Sequence, residues 1–209
     1  MSQSNFIRII VADDHPVVRQ GLVTIIEREL DMVVVGQASN GCEAKELFGQ
    51  KRPDIVLMDL RMPKLSGAVA IETILTKFDS ANIIILTTFD GDEDIYNGIK
   101  AGAKGYLLKD TEPSEILRAI RTVASGKKYI SPVVATKLEE RMKKPELSER
   151  ELQVLQLITN GNTNQQIALT LHITEGTVKY HVNNILGKLG VSDRTQAVVA
   201  GVKRGLVKF

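Results

Sequence analysis

An open parallel α/β sheet followed by a small all-helical domain is the architecture this chain predicts, on three observations. Short apolar, β-branched runs alternate five times with helical patterns over residues 1–126, the pattern of a parallel sheet with helices on both faces. From residue 146 onward the apolar residues recur only at helical spacing. The charge divides in the same region. Residues 1–126 carry 14 Lys/Arg against 18 Asp/Glu, whereas residues 127–209 carry 13 against 7. An acidic front and a basic back point to two domains, the second suited to a polyanion.

The bounds set by composition agree. A length of 209 residues suits two small domains, and 43% apolar with 25% charged residues is the balance of a soluble globular protein. No apolar run approaches the roughly 18 residues of a membrane span. The opening Met1-Ser2-Gln3-Ser4-Asn5 lacks the charged start and apolar core of a signal peptide. Cys42 is the only cysteine, which excludes a disulfide framework and a cysteine-rich zinc site. A cytoplasmic protein with no membrane partner is expected.

Taken in order, the predicted strands are Ile7–Ala12, Met32–Val35, Ile55–Met58, Ile83–Leu86 and Gly105–Leu108. The helical patterns between and after them are Val17–Glu29, Glu43–Gln50, Ala68–Lys77, Glu93–Ala101 and Ser114–Ser125. Right-handed crossovers leave few topologies for such a unit, and the flavodoxin-like order 2-1-3-4-5 is expected. That order sends the C-terminal ends of strands 1, 3, 4 and 5 to one crevice, where open α/β sheets bind ligands.

Those ends carry Asp13-Asp14, Asp59, Thr87-Thr88 and Lys109. Three carboxylates at one rim repel each other and call for a cation. Oxygen ligands without Cys or His favour Mg²⁺. A nearby lysine offsets the remaining charge and can hold a phosphoryl oxygen, and a hydroxyl can donate to another. A phosphoryl group attached to a carboxylate completes the set, and Asp59 is the central one. The acidic run Asp90-Gly91-Asp92-Glu93-Asp94 resembles the start of a calcium loop, but Ile95 stands where that loop needs glycine, so it is read as a helix start.

Asp13-Asp14, Asp59, Thr87 and Lys109, with Tyr106 three residues before the lysine, resemble the site of a two-component receiver domain, over roughly residues 6–125. The resemblance implies that Asp59 accepts a phosphoryl group from a sensor histidine kinase. It implies that Asp14, Asp59 and the Arg61 backbone carbonyl ligate Mg²⁺, with Asp13 acting through a bound water. Thr87 would bind the phosphoryl group, Tyr106 would swing inward with it, and Lys109 would pair with the acyl phosphate. Asp110 follows the lysine where many receivers have proline, so the isomer of that peptide bond is open.

Residues 127–145 read as a linker with a short helix, Val133–Met142. The second domain opens on Ser148 and Glu151, a capping box, with Leu152, Leu155 and Ile158 as the buried stripe. Gly161 stops that helix. Asn164–Leu171 and a helix ending at Leu189 enclose the turn His172-Ile173-Thr174, which makes a helix-turn-helix. In the third helix Val178, Val182, Ile185 and Leu189 face the core, and Lys179, Tyr180 and Asn183 occupy the adjoining polar face. Lys can donate to guanine, Asn can read adenine, and Tyr can meet a thymine methyl or a phosphate. Thr177, His181 and Lys188 are phosphate candidates.

Leu147-Ser148-x-Arg150-Glu151, Asn164-x-x-Ile167-Ala168 and Thr177-Val178-Lys179-x-His181 through Lys188-Leu189 resemble a LuxR-type DNA-binding domain. A receiver joined to such a domain is similar to the NarL/FixJ family of response regulators. That resemblance implies a four-helix output domain, binding to a two-half-site operator in double-stranded DNA, and a homodimer when phosphorylated. The last helix, Arg194–Arg204, would serve the dimer through Val198, Val199 and Val202, although a packed core explains those valines equally well. RNA polymerase is a further partner such a regulator admits. The rival readings are a Mg²⁺-dependent phosphohydrolase, for which a substrate pocket and a separate acid/base are not legible, and a DNA-binding protein whose receiver is never phosphorylated. The chain is therefore not expected to be a dedicated enzyme.

Overall fold

Branched side chains make Ile7–Ala12 a strand, β1, and the chain then alternates through α1 (Pro16–Ile26), β2 (Met32–Ala38), α2 (Gly41–Lys51), β3 (Ile55–Met58) and α3 (Gly67–Lys77). It continues through β4 (Ile83–Thr87), α4 (Asp92–Lys100), β5 (Gly105–Leu108) and α5 (Pro113–Ala124). The structure, a computed structural model, describes residues 6–88, 92–143 and 145–207. The Met1–Asn5 opening and the start of the acidic run at Asp90 and Gly91 lie outside them.

All strand pairs are parallel, and the sheet order is β2-β1-β3-β4-β5-β6. The expected order 2-1-3-4-5 is present, but five strands is one too few. β6 (Tyr129–Ile130) pairs Gly105 with Tyr129 and Tyr106 with Ile130 at the sheet's edge. A strand of two residues behind Gly126-Lys127-Lys128 has no alternation to reveal it in sequence. α6 (Pro132–Met142) follows, with Val134 buried and Leu138 packed into the same core cluster as Ile95 and Tyr106. The Arg141 guanidinium lies 4.4 Å from the centre of the Tyr96 ring in α4, a cation–π distance. The chain divides into two compact units, Met1–Arg141 and Met142–Phe209. Most of the expected linker thus belongs to the first unit.

The first unit has a core on each face of the sheet. One holds Ile10, Val56, Met58, Ile71, Ile83 and Ile85, the other Ile9, Val11, Leu57, Ile84, Leu107 and Ile120, all buried. Strands buried on both faces explain the continuous apolar runs.

The second unit contains α7 (Glu149–Thr159), α8 (Asn164–Leu171), α9 (Glu175–Leu189) and α10 (Arg194–Lys203). Capping boxes start two of them, Ser148 with Glu151 at α7 and Thr163 with Gln166 at α8. Asp193 caps α10 by accepting from Gln196 N at 2.8 Å. Val154, Leu155, Ile158, Ile167, Val178, Ile185 and Leu189 form its core. Val154, rather than the expected Leu152, completes the stripe of α7, because the helix turns Glu151 inward as well.

Candidate functional site

The sheet brings the predicted acidic residues together. β1 and β3 pair Ala12 with Met58, and Asp59 N donates to Ala12 O at 2.9 Å. Asp13 N donates to Ala38 O of β2 at 3.0 Å, so Asp13 and Asp59 leave neighbouring strands side by side. Across the sheet, Lys109 N donates to Thr87 O at 2.9 Å and fixes the lysine just beyond β5. Asp13, Asp59 and Thr87 are all buried.

Gly67, first residue of α3, closes the loop after Asp59 by donating to Leu60 O at 2.9 Å. A Cβ there would stand 2.8 Å from the Asp59 carbonyl carbon. The close approach of two backbone segments, rather than a special dihedral, demands glycine.

Lys109 Nζ lies 2.7 Å from Asp13 Oδ2 and 2.7 Å from Asp59 Oδ2. Burial opposes its charge, but hydrogen bonds and attraction from Asp13 and Asp59 outweigh that and hold its pKa above the ordinary value. Asp14 Oδ1 is buried and makes no hydrogen bond, although His15 Nδ1 stands 2.7 Å away. His15 occupies the N-cap of α1 without a side-chain cap bond, and its N–H donates to Asp13 Oδ1 at 2.9 Å. Asp13, Asp14, His15 and Asp59 each offer a ligand atom, all within 4.8 Å of one another. An orphaned carboxylate oxygen in a set of three carboxylates suits a hard divalent cation. The imidazole is a donor that the sequence reading did not place in this set. Arg61 N donates to Asp59 Oδ1 at 3.4 Å, which keeps the Arg61 peptide beside the site.

Tyr106 is fully buried, its ring already inward. Gly98 of α4 makes room for it, since a Cβ there would lie 3.2 Å from Tyr106 Cε2. The Lys109–Asp110 peptide is trans, and no cis bond occurs among the described residues.

In the second unit, His172 at φ 54° ends α8 in the left-handed region, and Thr174 starts α9. Lys179, Tyr180 and Asn183 are exposed on α9, Tyr180 at 63%. Thr177 lies inside the cap, its N–H donating to Thr174 Oγ1 at 3.1 Å and its hydroxyl 2.9 Å from the same atom. His181 is half-buried, its Nδ1 without a hydrogen bond and its ring edge-on to Tyr180. Lys188 does not project freely: Nζ donates to Glu151 Oε2 at 2.7 Å. Of the three valines of α10, Val198 and Val202 pack against the core, while Val199 is 48% exposed. Val199 lines a groove of about 330 Å³ with Val191, Gln196 and Lys203. Sequence reasoning missed Arg194, which donates to Asn164 Oδ1 at 3.0 Å and to the Asn162 carbonyl, and so pins α10 to the α7–α8 turn.

A parallel sheet with a lysine-braced acidic mouth, joined to a capped helix-turn-helix, defines a receiver domain with a DNA-binding output. The sequence profile of the response regulator receiver domain matches residues 9–121, and that of the bacterial regulatory proteins of the luxR family matches residues 145–200. The chain belongs to the response regulators that join these two domains, the NarL/FixJ type. It is 43% identical to an uncharacterized transcriptional regulatory protein, YxjL, of Bacillus subtilis, over 97% of this chain and 98% of that one. It is 41% identical to the transcriptional regulatory protein LiaR of the same organism, over 96% and 99%. Among solved structures, the response regulator ChrA of a heme-sensing two-component system is 39% identical, with a TM-score of 0.58 over 97% of this chain and 99% of that one. RcsB from Salmonella enterica serovar Typhimurium, bound to a promoter in the presence of phosphomimetic BeF3, has a TM-score of 0.74 at 26% identity, over 94% and 98%. The protein is a phosphorylation-controlled regulator of transcription. No helix among the described residues is long and apolar enough to cross a membrane.

Proposed function

We propose that Asp59 is the phosphoacceptor, charged by a cognate sensor histidine kinase in the cytoplasm, and that its phosphorylation controls dimerisation and operator binding by the second domain. The observation that carries this reading is the Lys109 ammonium, held 2.7 Å from both Asp13 and Asp59. It offsets one of the two negative charges of the buried Asp13 and Asp59 carboxylates and stands where an acyl phosphate on Asp59 would need a cation. Asp14, Asp59 and the Arg61 carbonyl would hold Mg²⁺, with Asp13 reaching it through water. When bound, the ion would neutralise the phosphoryl oxygens as the phosphoryl group passes to the Asp59 carboxylate and its bond to the donor, the kinase's histidine, breaks. Thr87 would bind a phosphoryl oxygen, and Tyr106 would hold the inward position in the phosphorylated state. The chain accepts and slowly loses its own phosphoryl group and is not a dedicated enzyme.

On the output side, Lys179, Tyr180 and Asn183 of α9 would read base edges in the major groove, with Thr177 and His181 near the phosphates. Two chains would bind a two-half-site operator, with Val199 at the α10 contact, and RNA polymerase would be met from there. A tenfold gain in affinity on phosphorylation needs about 1.4 kcal/mol of coupling. The test is DNA binding by fluorescence anisotropy at one salt concentration, with Mg²⁺ and acetyl phosphate, on wild type and Asp59→Asn. Severalfold tightening of wild type alone is the expected result. Equal binding by both proteins, with and without the phosphodonor, would remove Asp59 as the switch and leave the output assignment standing.

A further inference from the structure

Glu151 is the third residue of α7 and is only 3% exposed. Its Oε2 accepts from Ser148 N at 2.7 Å, which the capping box explains. The same oxygen accepts from Lys188 Nζ at 2.7 Å, a residue 37 positions later near the end of α9. Burial pushes the Glu151 carboxyl up, but the hydrogen bonds from Lys188 and Ser148 outweigh it and hold its pKa below the ordinary value. The carboxylate is therefore charged and nearly buried, and Lys188 is its one ion-pair partner among the described residues. Moving the ammonium to a DNA phosphate would strand that charge inside the domain.

Val178, Ile185 and Leu189 of α9 share one apolar core cluster with Val154, Leu155 and Ile158 of α7. Such contacts are non-directional and set the rotation of a helix about its own axis only coarsely. A charge-assisted hydrogen bond is short and directional, and so fixes that rotation. Lys179, Tyr180 and Asn183 ride on the same helix, and a small turn of α9 changes which base edges they meet.

We propose that the Glu151–Lys188 pair is a positioning element for sequence readout: it sets the rotation of α9 that presents Lys179, Tyr180 and Asn183 to the groove, and Lys188 makes no phosphate contact. This rests on the assignment of α9 as the DNA-reading helix. Glu151→Gln is the cleanest probe, because the amide oxygen still accepts from Ser148 N while the charge that holds Lys188 is gone.

The experiment compares full-length wild type, Glu151→Gln, Lys188→Met and Lys188→Arg, each with Mg²⁺ and beryllofluoride. Anisotropy is measured across a salt series on two duplexes, one enriched by the wild-type chain from a random pool and one of the same composition with shuffled sequence. Circular dichroism establishes that each variant is folded. The expected result is that Glu151→Gln and Lys188→Met lose about tenfold on the enriched duplex and little on the shuffled one. The salt slope stays that of wild type, and Lys188→Arg restores the discrimination. Should Lys188→Met fail to fold, Glu151→Gln decides alone. A slope shallower by about one in Lys188→Met, with equal loss on both duplexes, would make Lys188 a phosphate contact and overturn the proposal. So would tighter binding of Glu151→Gln to both duplexes, from an ammonium released to the phosphates. Wild type binding neither duplex would sink the DNA-reading assignment and the pair's role with it. Discrimination unchanged in Glu151→Gln would sink the pair's role alone.

Discussion

Lys109 Nζ lies 2.7 Å from Asp59 Oδ2, and its side chain is only 9% exposed. The same ammonium is 2.7 Å from Asp13, so one cation offsets two buried carboxylates. Removing it leaves charge of one sign in a site that excludes most solvent, which typically costs about 3–5 kcal/mol. Lys109→Met is expected to lose stability of that order in urea at neutral pH without divalent cations. Added Mg²⁺ should recover more in the variant than in wild type, since a bound cation replaces the missing charge. The pH dependence has a definite sign. The folded-state pKa of Lys109 is raised above 10.5, so its contribution is complete below 10.5 and fades as pH climbs through the folded value.

The approach of Gly67 to the Asp59 backbone makes a second prediction. A methyl group at Gly67 would collide with the Asp59 carbonyl, and neither backbone segment can yield without moving Asp59. Gly67→Ala is expected to lower the melting temperature and to cut the fraction phosphorylated by acetyl phosphate, measured by intact-protein mass spectrometry. A cost of at least about 2 kcal/mol is the scale for overpacking a site of this kind. Wild-type phosphorylation in Gly67→Ala would show that the loop relaxes without disturbing Asp59.

How far the sequence carries the reading depends on the kind of signal each feature leaves. The sheet order and the meeting of Asp13, Asp14, Asp59 and Lys109 were legible, because strand ends in a parallel α/β unit converge by topology alone. β6 was not, since Tyr129–Ile130 gains its identity from pairing with β5 and not from any local pattern. α10 left two readings open, and burial divides them residue by residue: Val198 and Val202 pack inward, while Val199 faces out. Lys188 looked like a phosphate contact because a lysine on a recognition helix ordinarily faces solvent. Its partner Glu151 lies 37 positions away, a separation no periodicity argument spans. The burial of Glu151 follows from how α7 and α9 pack, which only the folded domain reveals.

Glu151 also makes a prediction in acid. Its folded-state pKa is lowered below 4.5, so its stabilising contribution is complete above 4.5 and disappears as pH falls through the folded value. Wild type should therefore be more stable than Glu151→Gln at pH 7, with the gap closing toward pH 3. Parallel urea titrations followed by helical circular dichroism would measure it. A gap that persists unchanged at low pH would mean that the glutamate acts through shape and not through charge.

The division of the α10 valines separates folding from association. Val199→Asp places a charge on an exposed position, for which surface substitutions usually stay within about 0.5 kcal/mol of wild type. It is expected to keep the monomer's melting temperature and to weaken self-association of the beryllofluoride-treated chain in sedimentation velocity. Val202→Asp places the charge against the core and is expected to destabilise the second unit by several kcal/mol. Undiminished association in Val199→Asp would move the dimer contact away from the groove on α10.

The edge of the sheet gives the last prediction. β6 hydrogen-bonds to β5, and α6 adds Val134 and Leu138 to the core cluster that contains Tyr106. A fragment ending at residue 126 removes both elements, uncovers the outer edge of β5, and takes Arg141 from the face of Tyr96. Fully burying a valine or leucine side chain contributes about 1.5–3 kcal/mol, and the cation–π contact of the buried Arg141 adds about 0.5–2 kcal/mol. The fragment 1–126 is therefore expected to be less stable in urea than the fragment 1–143 by at least about 2 kcal/mol. It should also have a smaller denaturant slope, because less surface is buried on folding. Equal midpoints would mean that α6 rests on the sheet domain without stabilising it and that the domain ends where the sequence pattern does, at residue 126.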